Sequence, residues 1–163
     1  LQVLVNNNAA DLDHSQAASS AQWKAIDATT GAYITPNGSG TTTNSIKLDW
    51  VSGKITYSAT ITTQADTSRD CAFASVTCAS SVSAAAQAVL KALALLPASA
   101  TASEYEDDHM WMNNGADERA FFSGGYWYNG AFAGLFALYG STPRSGSGWS
   151  VGFRSAYVAL PTE

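Results

Sequence analysis

The sequence predicts one domain of the α+β class, built from two helices, short antiparallel strands and long loops. The chain has 163 residues, of which 46% are hydrophobic, so it can bury one sizeable core but not two. Residues 45–62 alternate between apolar and polar side chains, a pattern typical of strands. Residues 80–96 carry an apolar stripe at helical spacing.

The first quarter of the chain is expected to contain a strand and the first helix. LQVLV at residues 1–5 predicts the strand, and the asparagines at 6–8 predict its turn. Asp13 can cap a helix over Ser15–Ile26. The apolar face of this helix is weak and consists of Ala18, Ala21, Trp23 and Ile26.

A turn-rich segment at 28–44 leads into the clearest hairpin of the sequence. Two alternating segments flank the turn signal Ser52-Gly53. Ile46, Leu48 and Trp50 share one face of the first segment. Residues 45–80 are therefore expected to form a β-hairpin region inserted in the domain.

The second helix is the better defined of the two. Its stripe lies in SSVSAAAQAVLKALALL, residues 80–96, and Pro97 is expected to end it. The stripe consists of Val82, Ala85, Ala86, Val89, Leu90, Leu93 and Leu96. The rest of the chain is rich in loops, aromatic residues and glycine, and we expect short strands at 119–122, 125–128, 134–139 and 150–159.

Charge and hydropathy argue against two classes of function. The net charge is −5 and the basic residues are scattered singly, whereas a nucleic-acid interface needs a basic patch. The longest apolar segment, Ala84–Leu96, is interrupted by Gln87 and Lys91, so no membrane insertion is expected. Because the chain begins at Leu1 rather than Met, we expect a fragment or a processed product.

The two cysteines lie seven residues apart. Cys71 and Cys78 could close a disulfide across a hairpin or remain two small buried thiols, and the spacing leaves both alternatives open. There is no CxxC motif, and both histidines are distant in sequence. No zinc site is therefore expected.

The stretch GGYWYNGAFAGLFALYG, residues 124–140, combines six aromatic residues with small ones and contains no charge. As strands, its two halves place tyrosines on one face and core residues on the other. The expected scaffold residues are Trp127, Phe136, Leu138 and, further on, Phe153. A conventional core that takes up all of these aromatics is the alternative.

The next segment, GSTPRSGSGWS, has the composition of an adaptable binding loop. Small hydroxyl residues surround Trp149, and tyrosine, serine and glycine with an occasional tryptophan are typical of antibody-like binding surfaces. An ordinary flexible glycine-serine loop is the alternative.

The motifs of the C-terminal half resemble a known family. The pattern ERA-x-x-x-GG-x-W-x-NGA-x-AG-x-F-x-L, followed by a serine-rich loop and GFRSA, is similar to phage tail-tip or fibre proteins with a C-type lectin-like fold. This group includes the variable proteins of diversity-generating retroelements. LDHSQAASSAQWKAIDATTGAYITP also resembles phage tail sequences, so the likeness covers most of the chain.

The resemblance implies a C-type lectin-like domain over residues 1–163 with its ligand-binding half at 104–160. It also implies a component of the virion or another extracellular location, assembled as a homotrimer with other tail subunits. By position in the motif, Gly140 belongs to the outward set. The ligand-binding residues are then Tyr126, Tyr128, Phe132, Ala137, Tyr139, Ser141, Ser145, Ser147 and Trp149.

The sequence offers little for metal binding or catalysis. EYEDDH, residues 104–109, contains four carboxylates and His109 but lacks the spacing of a calcium loop, so a solvated acidic loop is favoured over a calcium site. A nucleophile elbow of the form GxSxG is missing. We therefore expect no catalytic residue, no metal and no cofactor.

Three functions are weighed against these sequence features. The first is a phage receptor-binding module that contacts a host-surface protein or glycan through an exposed tyrosine- and serine-rich face. The second is a structural tail module whose aromatic face packs against another subunit. The third, a remnant lectin-like enzyme, is disfavoured because formylglycine-type relatives use a cysteine pair near the C-terminal end, and no cysteine follows Cys78.

Overall fold

The computed structural model describes six stretches of the chain, residues 2–6, 23–34, 44–99, 101–115, 118–124 and 127–143. Within them lie one α-helix and ten strands. The strands of the first half are β1 (Gln2–Asn6), β2 (Trp23–Ile26), β3 (Tyr33–Ile34), β4 (Lys47–Val51) and β5 (Lys54–Ser58). Then come β6 (Arg69–Ala72), β7 (Thr77–Cys78), α1 (Ala84–Ala92), β8 (His109–Met112), β9 (Glu118–Ser123) and β10 (Leu138–Thr142). Short 3₁₀ turns occur at Phe73–Ser75, Ala102–Glu104 and Trp127–Phe132.

Seven strands form the larger sheet, in the order β3-β2-β1-β9-β10-β8-β6. The sheet is mixed: β1 runs parallel to β2 and β8 runs parallel to β10, while the other neighbours are antiparallel. β10 therefore lies inside the sheet, between β9 and β8. Both of its neighbours come from the C-terminal half of the chain.

The smaller sheet has the order β4-β5-β7. β4 and β5 form the hairpin predicted from the alternating pattern, in register from Lys47–Ser58 to Val51–Lys54. Ser52 and Gly53 both adopt positive φ, +51° and +77°, as a two-residue turn between twisted strands requires. The hairpin prediction is confirmed.

The core contains side chains from both sheets and from α1. Its largest fully buried members are Tyr57, Phe73, Ile26, Leu48, Ile55, Leu90, Met110 and Met112. The Tyr57 hydroxyl donates to the carbonyl of Leu95 at 2.8 Å, so this buried phenol has a hydrogen-bond partner.

The described part of the chain contains no helix long and apolar enough to cross a bilayer.

α1 confirms the second predicted helix but is shorter than expected. Ser83 caps it by accepting a hydrogen bond from the amide of Ala86 at 3.2 Å. It ends at Ala92 rather than at Pro97. Ala94 has a φ of +55°, and the amide of Leu95 bonds back to the carbonyl of Leu90 at 2.9 Å, which closes the helix through a left-handed residue.

The predicted α+β class with two helices is wrong, because the described part of the chain is mostly β. The first predicted helix, Ser15–Ile26, is strand β2 over Trp23–Ile26, and residues 15–22 lie outside the described stretches. β2 pairs with β1 and β3. These partners decide the conformation of a segment whose own helical pattern is weak. The expected C-type lectin-like domain with two helices does not match this mostly β architecture.

The other strand predictions have mixed outcomes. β1 and β9 confirm the strands expected at 1–5 and 119–122, each within one residue. The strand expected at 125–128 is wrong where the structure describes it, because residues 127–132 form 3₁₀ turns. The strand expected at 134–139 begins only at Leu138, as β10. The strand expected at 150–159 lies outside the described residues. β3, β6, β7 and β8 were not predicted.

Both cysteines are free thiols. They lie on different strands, Cys71 on β6 and Cys78 on β7. Burial raises the pKa of both thiols, that of Cys78 to about 11. Since the thiolate is the reactive form, neither cysteine suits nucleophilic chemistry.

Candidate binding surface

The segment between β9 and β10 exposes large apolar side chains. We call residues 127–137 the aromatic loop. Tyr128 is 63% exposed, Phe132 45% and Leu135 85%. Two 3₁₀ turns meet at Gly130, whose φ is +58°, a conformation that glycine adopts without steric cost. Three of the five exposed large hydrophobic side chains of the described residues lie on this short loop, and clusters of exposed apolar side chains often mark interaction sites.

A buried carboxylate holds this loop. Asp108, just before β8, accepts hydrogen bonds from the amide of Gly134 at 2.5 Å and from the amide of Phe136 at 2.7 Å, one on each carboxylate oxygen. The main-chain carbonyl of Asp108 accepts from the amide of Phe73 at 2.7 Å. We call this arrangement the Asp108 clamp. Charge-assisted bonds of this kind are stronger than neutral ones.

The clamp requires a glycine at residue 134. A Cβ atom at Gly134 would clash with Oδ1 of Asp108. Gly134 is therefore fixed by the close approach of the carboxylate and not by an unusual backbone angle. The acidic cluster at 104–109 thus contributes a structural anchor through Asp108, which the expectation of a solvated loop missed.

Phe136 anchors the C-terminal end of the aromatic loop in the core. Its ring stacks on Phe73 with the centroids 5.9 Å apart and meets Tyr105 edge-on at 5.0 Å. Ala137 and Leu138 follow and are buried. The loop is therefore held through its backbone by Asp108 and through the side chain of Phe136 by the core. The side chains of Tyr128, Phe132 and Leu135 stay at the surface.

The neighbouring sheet carries a row of aromatic side chains. Tyr139 on β10 lies opposite Trp111 on β8 and opposite Phe122 on β9, and directly opposed residues point to the same face of a sheet. The rings of Trp111 and Tyr139 are stacked, with centroids 4.4 Å apart and an interplanar angle of 12°. On the other face of β8, Met110 and Met112 are completely buried.

Contacts tie the aromatic loop to this row. The side-chain amide of Asn129 donates to the hydroxyl of Tyr139 at 2.6 Å. The ring of Phe132 lies over His109, with centroids 4.3 Å apart. Nδ1 of His109 in turn lies 2.8 Å from Oδ2 of Asp70 on β6. These contacts join the loop to the sheet. We call the exposed and half-buried side chains of both parts the aromatic surface, which consists of His109, Trp111, Tyr128, Phe132, Leu135 and Tyr139.

The chemistry of this surface suits binding. Tyrosine and tryptophan give a large contact area with few rotatable bonds, and His109 and Asp70 add polar groups at the edge. The residues that the structure describes contain no group of three or more His, Cys, Asp or Glu that could hold a metal ion. The contact between His109 and Asp70 lies beside the rings of Trp111 and Phe132.

The structure brings three of the nine predicted ligand-binding residues together. Tyr128, Phe132 and Tyr139 belong to the aromatic surface. Ala137 is 1% exposed and takes no part in it. Ser141 is half-buried on β10, and its hydroxyl has no partner among the described residues. The others lie outside the described stretches, and these are Tyr126, Ser145, Ser147 and Trp149.

Two further expectations concern residues beside this surface. Gly140, expected to face outward, is buried, and a Cβ atom there would meet Phe121 at 3.0 Å. Among the expected scaffold residues, Leu138 is buried and Phe136 is half-buried against the core. Phe153 and the side chain of Trp127 lie outside what the structure describes.

Sequence reasoning missed His109, Trp111, Asn129 and Leu135 as members or supports of the surface. A signal for two of them exists in HMWM, residues 109–112, where methionines alternate with larger half-exposed rings. No comparable signal marks Asn129, whose contact with Tyr139 depends on how the loop folds back.

Comparison with known proteins gives no assignment. No protein-family model matches the sequence, and no curated protein is significantly similar to it. The sequence motifs and the aromatic surface are therefore the two observations that bear on function.

Proposed function

We propose that this chain is a receptor-binding module of a phage tail, and that the aromatic surface contacts a protein or glycan on the host cell. Two observations support the proposal. The motifs of residues 118–138 and the later GFRSA resemble those of phage tail proteins. The residues that follow the GG of that motif include the exposed Tyr128, Phe132 and Leu135.

The exposure of these three side chains on an anchored loop is the observation that carries the proposal. Binding costs less entropy when the contacting residues are already held in place. The Asp108 clamp and the Asn129–Tyr139 hydrogen bond hold the loop before any partner arrives. Exposed aromatics on a fixed frame can act as interface hot spots, each of which commonly contributes about 2 kcal/mol or more.

The proposed module needs no cofactor and catalyses no reaction. It acts in the virion, in contact with other tail subunits, and the homotrimer implied by the family resemblance remains part of the proposal. Several copies on one tail would raise a modest affinity per chain by orders of magnitude, because the second contact becomes intramolecular.

Competition for host cells tests the proposal on the isolated chain. Purified chain should block adsorption of the parental phage. The Tyr128→Ala, Phe132→Ala double variant should block it at least about thirtyfold less well, the factor that corresponds to the loss of about 2 kcal/mol from a single hot spot. Tyr33→Ala is the matched control, because Tyr33 is also half-exposed but lies on β3, four strands from β10. Equal blocking by the double variant and the wild-type chain would refute the proposal.

A tail assembly module is the second candidate. Leu135 favours it, because an aliphatic side chain that is 85% exposed also suits a permanent subunit contact. In that case the double variant would reduce the yield of complete particles. The receptor-binding proposal expects an unchanged particle yield.

A further inference from the structure

A separate apolar pocket lies beside the C-terminal end of α1. Its volume is about 260 Å³, and Phe73, Tyr105, Phe136 and Leu96 form its walls. Phe73 meets Tyr105 edge-on with centroids 5.2 Å apart, and Phe136 completes a cluster of three rings. An apolar pocket of aromatic walls favours a flat apolar ligand.

The rim of this pocket carries one charge of each sign. Lys91, in the last turn of α1, is exposed, and so is Glu104 at the end of the following 3₁₀ turn. The Ser99 hydroxyl donates to the Glu104 carboxylate, and the amide of Ser99 donates to the Tyr105 hydroxyl at 3.1 Å. These bonds orient the carboxylate at the rim.

We propose that this pocket binds a free aromatic α-amino acid, with phenylalanine as the simplest example. Its ring packs in the pocket against the cluster of Phe73, Tyr105 and Phe136, where offset and edge-on contacts are favourable. Its carboxylate faces Lys91 and its ammonium group faces Glu104. A purely anionic ligand would meet repulsion from Glu104, and a purely cationic one would meet repulsion from Lys91.

The size of the pocket agrees with such a ligand. A water molecule occupies about 30 Å³ in the liquid, so the pocket has the volume of roughly nine waters. This volume suits a compact ligand and lies just under the range of about 300–1,000 Å³ typical of larger ligands. For roughly a dozen non-hydrogen atoms we expect a dissociation constant on the order of millimolar.

Titration of the full chain with three related ligands, followed by NMR, tests the proposal. Phenylalanine should bind more tightly than 3-phenylpropionate, which lacks the ammonium group, and than phenethylamine, which lacks the carboxylate. Lys91→Gln should weaken phenylalanine binding roughly twofold to fivefold, as for a solvent-screened ion pair. It should leave phenethylamine binding no weaker, and Glu104→Gln should show the mirror-image pattern.

Two exposed residues outside the pocket lining provide matched controls. Lys54→Gln and Glu106→Gln make the same charge changes away from the pocket lining, and both should leave phenylalanine binding unchanged. No saturable shift with phenylalanine would overturn the proposal. So would equal binding of the three ligands, or equal effects of the control and rim variants.

Discussion

Lys47 and Asp49 are two buried charged residues on strand β4. The ammonium of Lys47 donates to the carbonyls of Ser45 at 2.7 Å and Ala59 at 2.8 Å. Burial would raise the pKa of Asp49, but hydrogen bonds from Thr62, Thr63 and the Trp50 amide lower it below its usual value. Burial lowers the pKa of Lys47 to about 8. Each residue therefore fixes a loop against the small sheet.

The lowered pKa of Lys47 predicts a specific dependence of stability on pH. Between pH 8 and the ordinary lysine value of 10.5, the unfolded chain keeps a proton that the folded chain has released. Stability from this group therefore rises with pH across that window, with a slope of at most about 1.4 kcal/mol per pH unit. The free energy of unfolding of wild type minus that of Lys47→Met should rise accordingly.

Chemical denaturation at several pH values between 7 and 10.5 provides this comparison. The raised pKa of Cys78, about 11, acts in the opposite direction, because the unfolded thiol ionises first and stability falls as pH rises. That contribution is common to both proteins and cancels in the difference. Parallel curves for wild type and Lys47→Met would show that Lys47 does not titrate in this window.

At the scale of elements, the aromatic loop depends on a residue far from it in sequence. Asp108 precedes Gly134 by 26 positions, yet its carboxylate receives the loop's two inward amides. Phe136 adds to this anchor by packing against Phe73 and Tyr105. The loop is thus positioned by β8 and the segment before it rather than by its own turns.

Replacing Asp108 by alanine should destabilise the chain by about 2–3 kcal/mol, because two inward amides lose a charged acceptor. Asp107→Ala is the matched control: Asp107 is exposed, so its loss should change the free energy of unfolding by less than about 0.5 kcal/mol. Chemical denaturation of both variants measures this. Similar stabilities for the two variants would contradict the clamp.

The elements that the sequence predicts correctly are those decided locally. The β4–β5 hairpin follows from alternation around Ser52-Gly53, and α1 follows from its stripe and the Ser83 cap. Long-range pairing decides the others. The parallel pairing of β8 and β10, for example, joins Met110 to Leu138, 28 positions further along the chain, and no local pattern gives this register. The helical spacing of Ala18, Ala21, Trp23 and Ile26 wrongly predicts a helix, because the pairing of β2 with β1 and β3 decides the conformation of residues 23–26.

The residues of the aromatic surface also fall into those that the local sequence predicts and those that depend on long-range pairing. Tyr128, Phe132 and Tyr139 could be found from aromatic content within one stretch. Trp111 and His109 could not be joined to them, because their contacts arise only when β8 pairs with β10 and the loop folds over His109. The inward position of Ala137 was missed because residues 134–137 form a turn, where strand alternation does not apply.

For the molecule as a whole, the larger sheet separates the buried core from the aromatic surface. β8 shows this most clearly, with Met110 and Met112 in the core and His109 and Trp111 on the opposite face. The pocket beside α1 shares Phe136 with the base of the aromatic loop. The described part of the chain thus combines a β-rich frame with an anchored and exposed apolar surface.

The most direct test of the proposed receptor-binding role is the adsorption rate of assembled phage particles that carry Tyr128→Ala and Phe132→Ala together. We expect a normal particle yield and an adsorption rate at least about tenfold lower than that of parental particles, since two hot-spot side chains are lost. Particles with Tyr33→Ala should adsorb at the parental rate. Adsorption of the double variant at the parental rate would contradict the proposal that the aromatic surface binds the host receptor.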